Sequence, residues 1–213
     1  MSAVEIYHDE NAGQTAIGLK INRTDISVAE LLQAWQPLSD DEGIYKRYGV
    51  NNHSPCKGCV QNCCANPYVI PDLVAFKKMA QCCQMEHQDF VKEYFDRMKV
   101  GIGILKMKAE PCSFLKDNVC SIYPIRALIC RFYVCSALSA DTEQLIYSIA
   151  WMGSTATQVF AEENGLVKEP VNMGMTSMDK LFLHYIEEYR HKPTLQYFLK
   201  AEEYADIPLE PFL

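Results

Sequence analysis

The chain has 213 residues, a net charge of −7 and 49% apolar residues, enough to build one domain core, or one domain with an appended segment. The acidic balance argues against general nucleic-acid binding, and no apolar run approaches the ~18 residues of a membrane helix. The first ten residues are acidic and lack an apolar h-region, so the sequence predicts no secretory leader, no membrane attachment and a cytoplasmic location.

Taken in chain order, residues 15–21 read as a short strand. A helix is predicted from Val28 to Trp35, because Ser27 and Glu30 have capping-box spacing and Leu31, Leu32 and Trp35 share a face. Residues 43–55 read as loop, and four cysteines follow within 56–64. Pro71 suits the first turn of a helix carrying Leu73, Val74, Phe76 and Met79. A second helix is predicted over 87–98, and a strand over 101–107. Residues 112–120 have the pattern of a tight hairpin, with Phe114 and Leu115 before the turn residues Asp117 and Asn118. Pro124 is expected to open a short helix that contains Arg126, Cys130 and Arg131. Asp141 is a candidate cap for a helix with Leu145, Ile146, Ile149, Met152, Val159 and Phe160 inward, ending near Gly165. Residues 169–175 read as loop. Leu181, Phe182, Tyr185, Ile186 and Tyr189 then recur at helical spacing, and Pro193 starts a last helix. The expected fold is mainly α with a small β-hairpin, its irregular cysteine-rich segments packed on a helical body. Three parts are expected: an N-terminal segment over 1–50, a cysteine domain over 51–138, and a helical part over 139–213 on the same core.

Ten cysteines are the unusual feature of the composition. A chain that can build a core and shows no export signal is expected to use clustered cysteines for metal or redox chemistry rather than disulfides. The first group is Cys56-x2-Cys59-x3-Cys63-Cys64, and the second is Cys112-x7-Cys120-x9-Cys130-x4-Cys135. Thiolates are soft anionic ligands, and short spacing lets one turn aim two of them at one centre. Eight thiolates exceed the four that one zinc ion or one ordinary iron–sulfur cluster takes. Adjacent Cys63 and Cys64 would point to opposite sides if the chain there were extended. A simple assembly takes Cys56, Cys59 and Cys63 with a fourth ligand from the second group, which is the ligand economy of many [4Fe–4S] sites. The alternative is zinc held by Cys56 and Cys59 with two distant cysteines, although the second group has no C-x2-C pair. The C-x2-C-x3-C order differs from the triplet of the radical enzymes that use S-adenosylmethionine, and nothing suggests their barrel.

Local charge follows the cysteines. Residues 44–64 carry Lys46, Arg47 and Lys57 with no acid, and residues 101–140 are also net +3, which leaves −13 for the remainder. Positive surroundings favour the thiolate form. Arg126 and Cys130 are spaced i, i+4, so on a helix they share a face. Arg126, and Arg131 beside Cys130, are therefore candidate partners of cluster sulfur.

The pattern C-x2-C-x3-CC, then Cys112-Ser-Phe-Leu-Lys-Asp-Asn-Val-Cys120-Ser-Ile-Tyr123, then Arg126-Ala-Leu-Ile-Cys130-Arg131, resembles the cysteine-cluster family named for its CxxCxxCC motif. That family is described as zinc- or iron-chelating. The resemblance implies that Cys56, Cys59, Cys63, Cys64, Cys112, Cys120 and Cys130 are metal ligands, with Cys135 added from the second group. Ala127 departs from the pattern, since the family usually has proline after the arginine. The family includes a bacterial lysine N-methylase acting on flagellin, but fold and cofactor can be inherited without the reaction.

Cys82 and Cys83 fall outside the pattern and read as ordinary thiols. His53, three residues before Cys56, reads as a loop residue. The leading expectation is a protein holding an iron–sulfur cluster, [4Fe–4S], with room for a second metal site. One alternative is a structural zinc (Zn2+) module that presents its helical part to a protein partner. Another is a protein-lysine N-methyltransferase-like enzyme, for which no catalytic residue can be named. No nucleic-acid partner is expected.

Overall fold

A computed structural model of the protein describes residues 2–10, 16–48, 57, 59, 63–109, 111–168 and 174–213. The fold is mainly α, with two small antiparallel strand pairs among the described residues. Strands β1 (Val4–Asp9) and β2 (Ala16–Ile21) pair from Val4↔Ile21 to Asp9↔Ala16. Thus β2 matches the predicted strand, whereas the pairing of β1 with it was not expected. The far edge of β2 docks on the chain ahead of the long helix, where the Ile17 amide donates to the Ala137 carbonyl at 2.9 Å and the Ser139 amide to the Ile17 carbonyl at 2.9 Å.

Helix α1 (Val28–Trp35) has the expected capping box: Ser27 accepts from the Glu30 amide, and Glu30 bonds back to the Ser27 amide. Its Val28, Leu31, Leu32 and Trp35 are all buried. Short helices α2 (Pro37–Asp40) and α3 (Glu42–Tyr48) follow, and α3 occupies part of the region 43–55 read as loop.

Helix α4 (Leu73–Cys82) begins two residues later than Pro71 suggests, because Asp72 is the N-cap and accepts from the Ala75 amide at 3.0 Å. The helix predicted over 87–98 is divided. Helix α5 (His87–Tyr94) stops at the extended Phe95, and Asp96 caps a new helix, α6 (Arg97–Gly101), by accepting from the Met98 and Lys99 amides. The strand predicted over 101–107 does not form. Gly101 ends α6, Gly103 turns the chain at φ +89°, and only an isolated Phe95↔Met107 bridge remains. The polar backbone of this stretch is met by a side chain instead: Gln158 donates to the Gly103 carbonyl at 2.7 Å and accepts from the Leu105 amide at 3.3 Å.

Strands β3 (Leu115–Lys116) and β4 (Val119–Cys120) form the expected hairpin. Asp117 and Asn118 both have positive φ, as the mirror-image two-residue turn requires. After a 3-10 turn (Tyr123–Ile125), α7 (Leu128–Phe132) starts four residues beyond Pro124.

The long helix α8 (Ala140–Glu163) has Ser139 rather than Asp141 at its N-cap position, where the Ser139 hydroxyl donates to Thr142 Oγ1, and it ends as expected before Gly165, at φ +65°. It is buried on more faces than an amphipathic stripe would be, and Leu145, Val159 and Phe160 are only partly buried. Its buried Ser154 and Thr157 donate to the Ile70 and Pro71 carbonyls at 2.9 and 2.7 Å. Helix α9 (Ser177–Arg190) opens with a Thr176–Asp179 capping box, and α10 (Leu195–Lys200) is followed by 3-10 turns at Tyr204–Asp206 and Glu210–Phe212. One hydrophobic cluster joins Val4 and Ile17 to Trp35, Phe76, Phe132, Phe198 and Leu209. No helix among the described residues is long and apolar enough to cross a membrane.

Candidate metal centre

The two cysteine groups meet. Cys59, Cys63, Cys64, Cys112, Cys120, Cys130 and Cys135 all line one cavity of about 320 Å³. Cys56 and His53 lie outside the described residues. Cys63 and Cys64 are not extended; they sit in a 3-10 turn (Cys63–Ala65), so both adjacent side chains reach the same cavity. The Cys112 amide donates to the Cys64 carbonyl at 2.9 Å and stitches the first group to the second. The hairpin then places Cys112 before β3 and Cys120 at the end of β4, while α7 carries Cys130.

Backbone amides are aimed at two of the sulfurs. Burial pushes the Cys112 thiol up, and the Phe114 and Leu115 amides pull it back; the Cys120 thiol is likewise raised by burial and opposed by the Ile122 amide. Amides two and three residues ahead of a cysteine stabilise its anion and fix its direction. The Cys63 thiol hydrogen-bonds Cys64, which raises Cys63 well above the thiol range and lowers Cys64. Burial raises Cys130 most, and the charges of Cys63, Cys112 and Cys120 add to it. Cys135 is raised by burial and then by Cys63 and Cys59. Cys63, Cys64, Cys112, Cys120 and Cys130 therefore form one neighbourhood, and Cys59 and Cys135 stand beside Cys63 at its margin. Among the described residues no three histidine, cysteine or acidic groups converge on a single-ion position.

Arg126 lines the cavity but not as a helical neighbour of Cys130. It has extended backbone (ψ 152°) between the 3-10 turn and α7, so the shared helix face expected from i, i+4 spacing does not exist. Its side chain nevertheless returns to Cys130: Nε donates to the Cys130 carbonyl at 3.2 Å and Nη1 to the Tyr123 carbonyl at 2.9 Å. The guanidinium lies 3.6 Å over the Tyr123 ring. It is 5% exposed, and its Nη2 is buried with no hydrogen-bond partner among the described residues. A guanidinium does not lose its charge, so an unpartnered buried donor beside seven thiols fits an anionic group. The donor set is soft, the amides point at sulfur, and Arg126 supplies positive charge; the residues fit a thiolate-bound metal centre.

Arg131 goes elsewhere. It lines an open cleft with Gln33, Gln36, Asp40 and Asp41, and its guanidinium lies 5.5 Å over the Tyr204 ring. Cys82 is exposed, and Cys83 hydrogen-bonds Tyr94 away from the cavity. Tyr133 was absent from the sequence reading. It lines the cavity, is 43% exposed, and is raised first by the charge of Cys135, whose thiol it hydrogen-bonds. Its position two residues before Cys135 was the available signal. Asp72, discussed below, left no signal beyond that of a helix cap.

Residues 55–154 match the family model CxxCxxCC, described as a putative zinc- or iron-chelating domain. No curated protein and no solved structure matches the chain.

Proposed function

We propose, from the match of residues 55–154 to the CxxCxxCC family model, that the cysteine cavity holds an iron–sulfur cluster of the [4Fe–4S] type. One observation carries the reading: seven cysteines from both groups line a single cavity of about 320 Å³, more donors and more space than one tetrahedral zinc uses. In this proposal four of the five thiols Cys63, Cys64, Cys112, Cys120 and Cys130 hold the cluster. Cys59 and Cys135 stand next to it as replacement ligands or as part of a second site. Such a cluster, when bound, supplies one-electron chemistry whose potential the surroundings tune. The protein's share is to hold the thiolates by the Phe114, Leu115 and Ile122 amides, to offset anionic charge through Arg126, and to shield the cavity with Val69, Met107, Phe114 and Ile122. Reduced thiols of this kind suit the cytoplasm.

Anaerobic purification followed by iron, sulfide and zinc analysis tests the proposal. Brown protein with matching iron and acid-labile sulfide is the expected result. Colourless protein with stoichiometric zinc and no sulfide would replace this reading with the structural zinc module.

A further inference from the structure

We propose that Asp72 is the positioning residue of the metal centre, its buried carboxylate fixing the start of α7 and thereby the seats of Cys130 and Arg126. The inference rests on the reading that the cavity holds metal. Asp72 is 1% exposed and lies outside the cavity. One oxygen, Oδ1, accepts from the Ala75 amide at 3.0 Å and from the Tyr204 hydroxyl at 3.0 Å. The other, Oδ2, accepts from the Leu128 amide at 2.7 Å. Capping α4 needs only one acceptor, which serine, threonine or asparagine also provides. The second oxygen is spent on a different helix, and that helix bears a ligand.

Leu128 is the first residue of α7, so its amide has no acceptor within the helix. A five-residue helix has little stability of its own and takes its direction from what holds its ends. Two residues beyond Leu128 is Cys130, whose carbonyl accepts from Arg126 Nε. Asp72 therefore reaches both the ligand and the guanidinium through one short helix. Its own place is closely confined, since a Cβ on Gly153 of α8 would lie 2.5 Å from the Asp72 Cβ. A buried carboxylate is costly unless its oxygens are bonded, and three donors from α4, α7 and the C-terminal turn converge on this one.

Asp72→Asn and Tyr204→Phe separate positioning from general support. An amide at 72 can still cap α4 and accept from Tyr204, but it then turns an NH2 group toward the Leu128 amide and releases α7. In reduced, metal-free protein, Asp72→Asn is expected to raise iodoacetamide alkylation of Cys130 relative to Cys82 by about tenfold, the scale on which loss of a hydrogen bond to a charged group opens a local structure. Tyr204→Phe, which removes a bond to the same carboxylate, is expected to lower Tm while changing that ratio by less than about twofold. Equal ratios in the two variants would overturn the proposal. A measurement on the wild-type protein stands independently of variant folding: the Leu128 amide is expected to exchange with solvent as slowly as the core amides of α4, and exchange as fast as an exposed amide would overturn the proposal. Failure of the wild-type protein to assemble a centre with iron and sulfide would refute the cluster reading alone, because alkylation and exchange need no metal.

Discussion

Arg126 has five N–H donors in a rigid fork, and its bonds go to two carbonyls of its own neighbourhood, leaving Nη2 turned into a buried space beside thiols. Arginine is suited to this position because it stays charged where a lysine would shed its proton on burial. Arg126→Gln keeps hydrogen-bonding capacity but removes the charge. The expected outcome is a ~10–100-fold loss in metal affinity, measured by chelator competition, together with, for the proposed cluster, a more negative midpoint potential, since its reduced form carries the greater negative charge. Arg126→Lys should recover part of the potential and little of the affinity. Unchanged affinity in Arg126→Gln would reduce Arg126 to a support for the Tyr123 turn. The sequence singled out this residue by its spacing from Cys130, and the structure retains the partnership by a different route. The link runs from side chain to carbonyl rather than along a helix face.

Among the elements, α9 is joined to the rest by a buried charge. Asp179 is fully buried and accepts from Tyr68, Lys99 and Thr176, the Lys99 ammonium being 16% exposed. Burial by itself pushes the carboxyl up, but the bonds from Lys99, Thr176 and Tyr68 outweigh it and hold Asp179 down at about 2. Because the folded value is below the ordinary carboxyl value, this contribution to stability is complete above about pH 4 and is lost as pH falls toward 2. Asp179→Asn is expected to cost about 2 kcal/mol at neutral pH, through the unpaired Lys99 and the weakened capping box. It should also flatten the acid limb of the stability curve between pH 4 and 2, as followed by denaturant titration at stepped pH. An acid limb identical to that of the wild-type protein would show that other carboxylates govern it. Tyr68 gives this pair a second meaning, since its ring lines the cysteine cavity while its hydroxyl holds α9.

For the whole molecule, two kinds of cohesion are layered. The core that includes Leu32, Phe76, Phe90, Phe95, Ile149 and Phe198 joins α1, α4, α8 and α10, and Trp35 of α1 also lies edge-on to Phe132 of α7 at 6.1 Å. The segments bearing the cysteines have only two-residue strands, 3-10 turns and the five-residue α7. Metal binding is coupled to folding where a site cannot form without it. Removing metal with a chelator is therefore expected to abolish amide protection over 63–68 and 111–123 while α4, α8, α10 and the Leu128 amide bound to Asp72 keep theirs, as read by hydrogen exchange. Cooperative loss throughout the chain would show instead that the metal holds the entire fold.

Local chemistry in the sequence was sufficient for the capping box at Ser27 and Glu30, the positive-φ turn at Asp117 and Asn118, the mainly helical class and the cysteine pattern, because each depends on residues within a few positions of one another. The fate of residues 101–107 was not legible: their apolar run fits a strand, but Gln158, more than fifty positions away, takes the backbone bonds a neighbouring strand would have taken. The same holds for α8, whose buried Ser154 and Thr157 look polar in sequence and serve as acceptor-seeking donors to an extended segment in space. The sequence by itself determined that thiols in two ordered groups sit in locally basic stretches. Only the tertiary structure decided that they share one cavity, that Arg126 faces it while Arg131 faces away, and that Asp72 connects three elements behind it. Ligand type is a property of residue identity and spacing, whereas convergence depends on how distant segments pack.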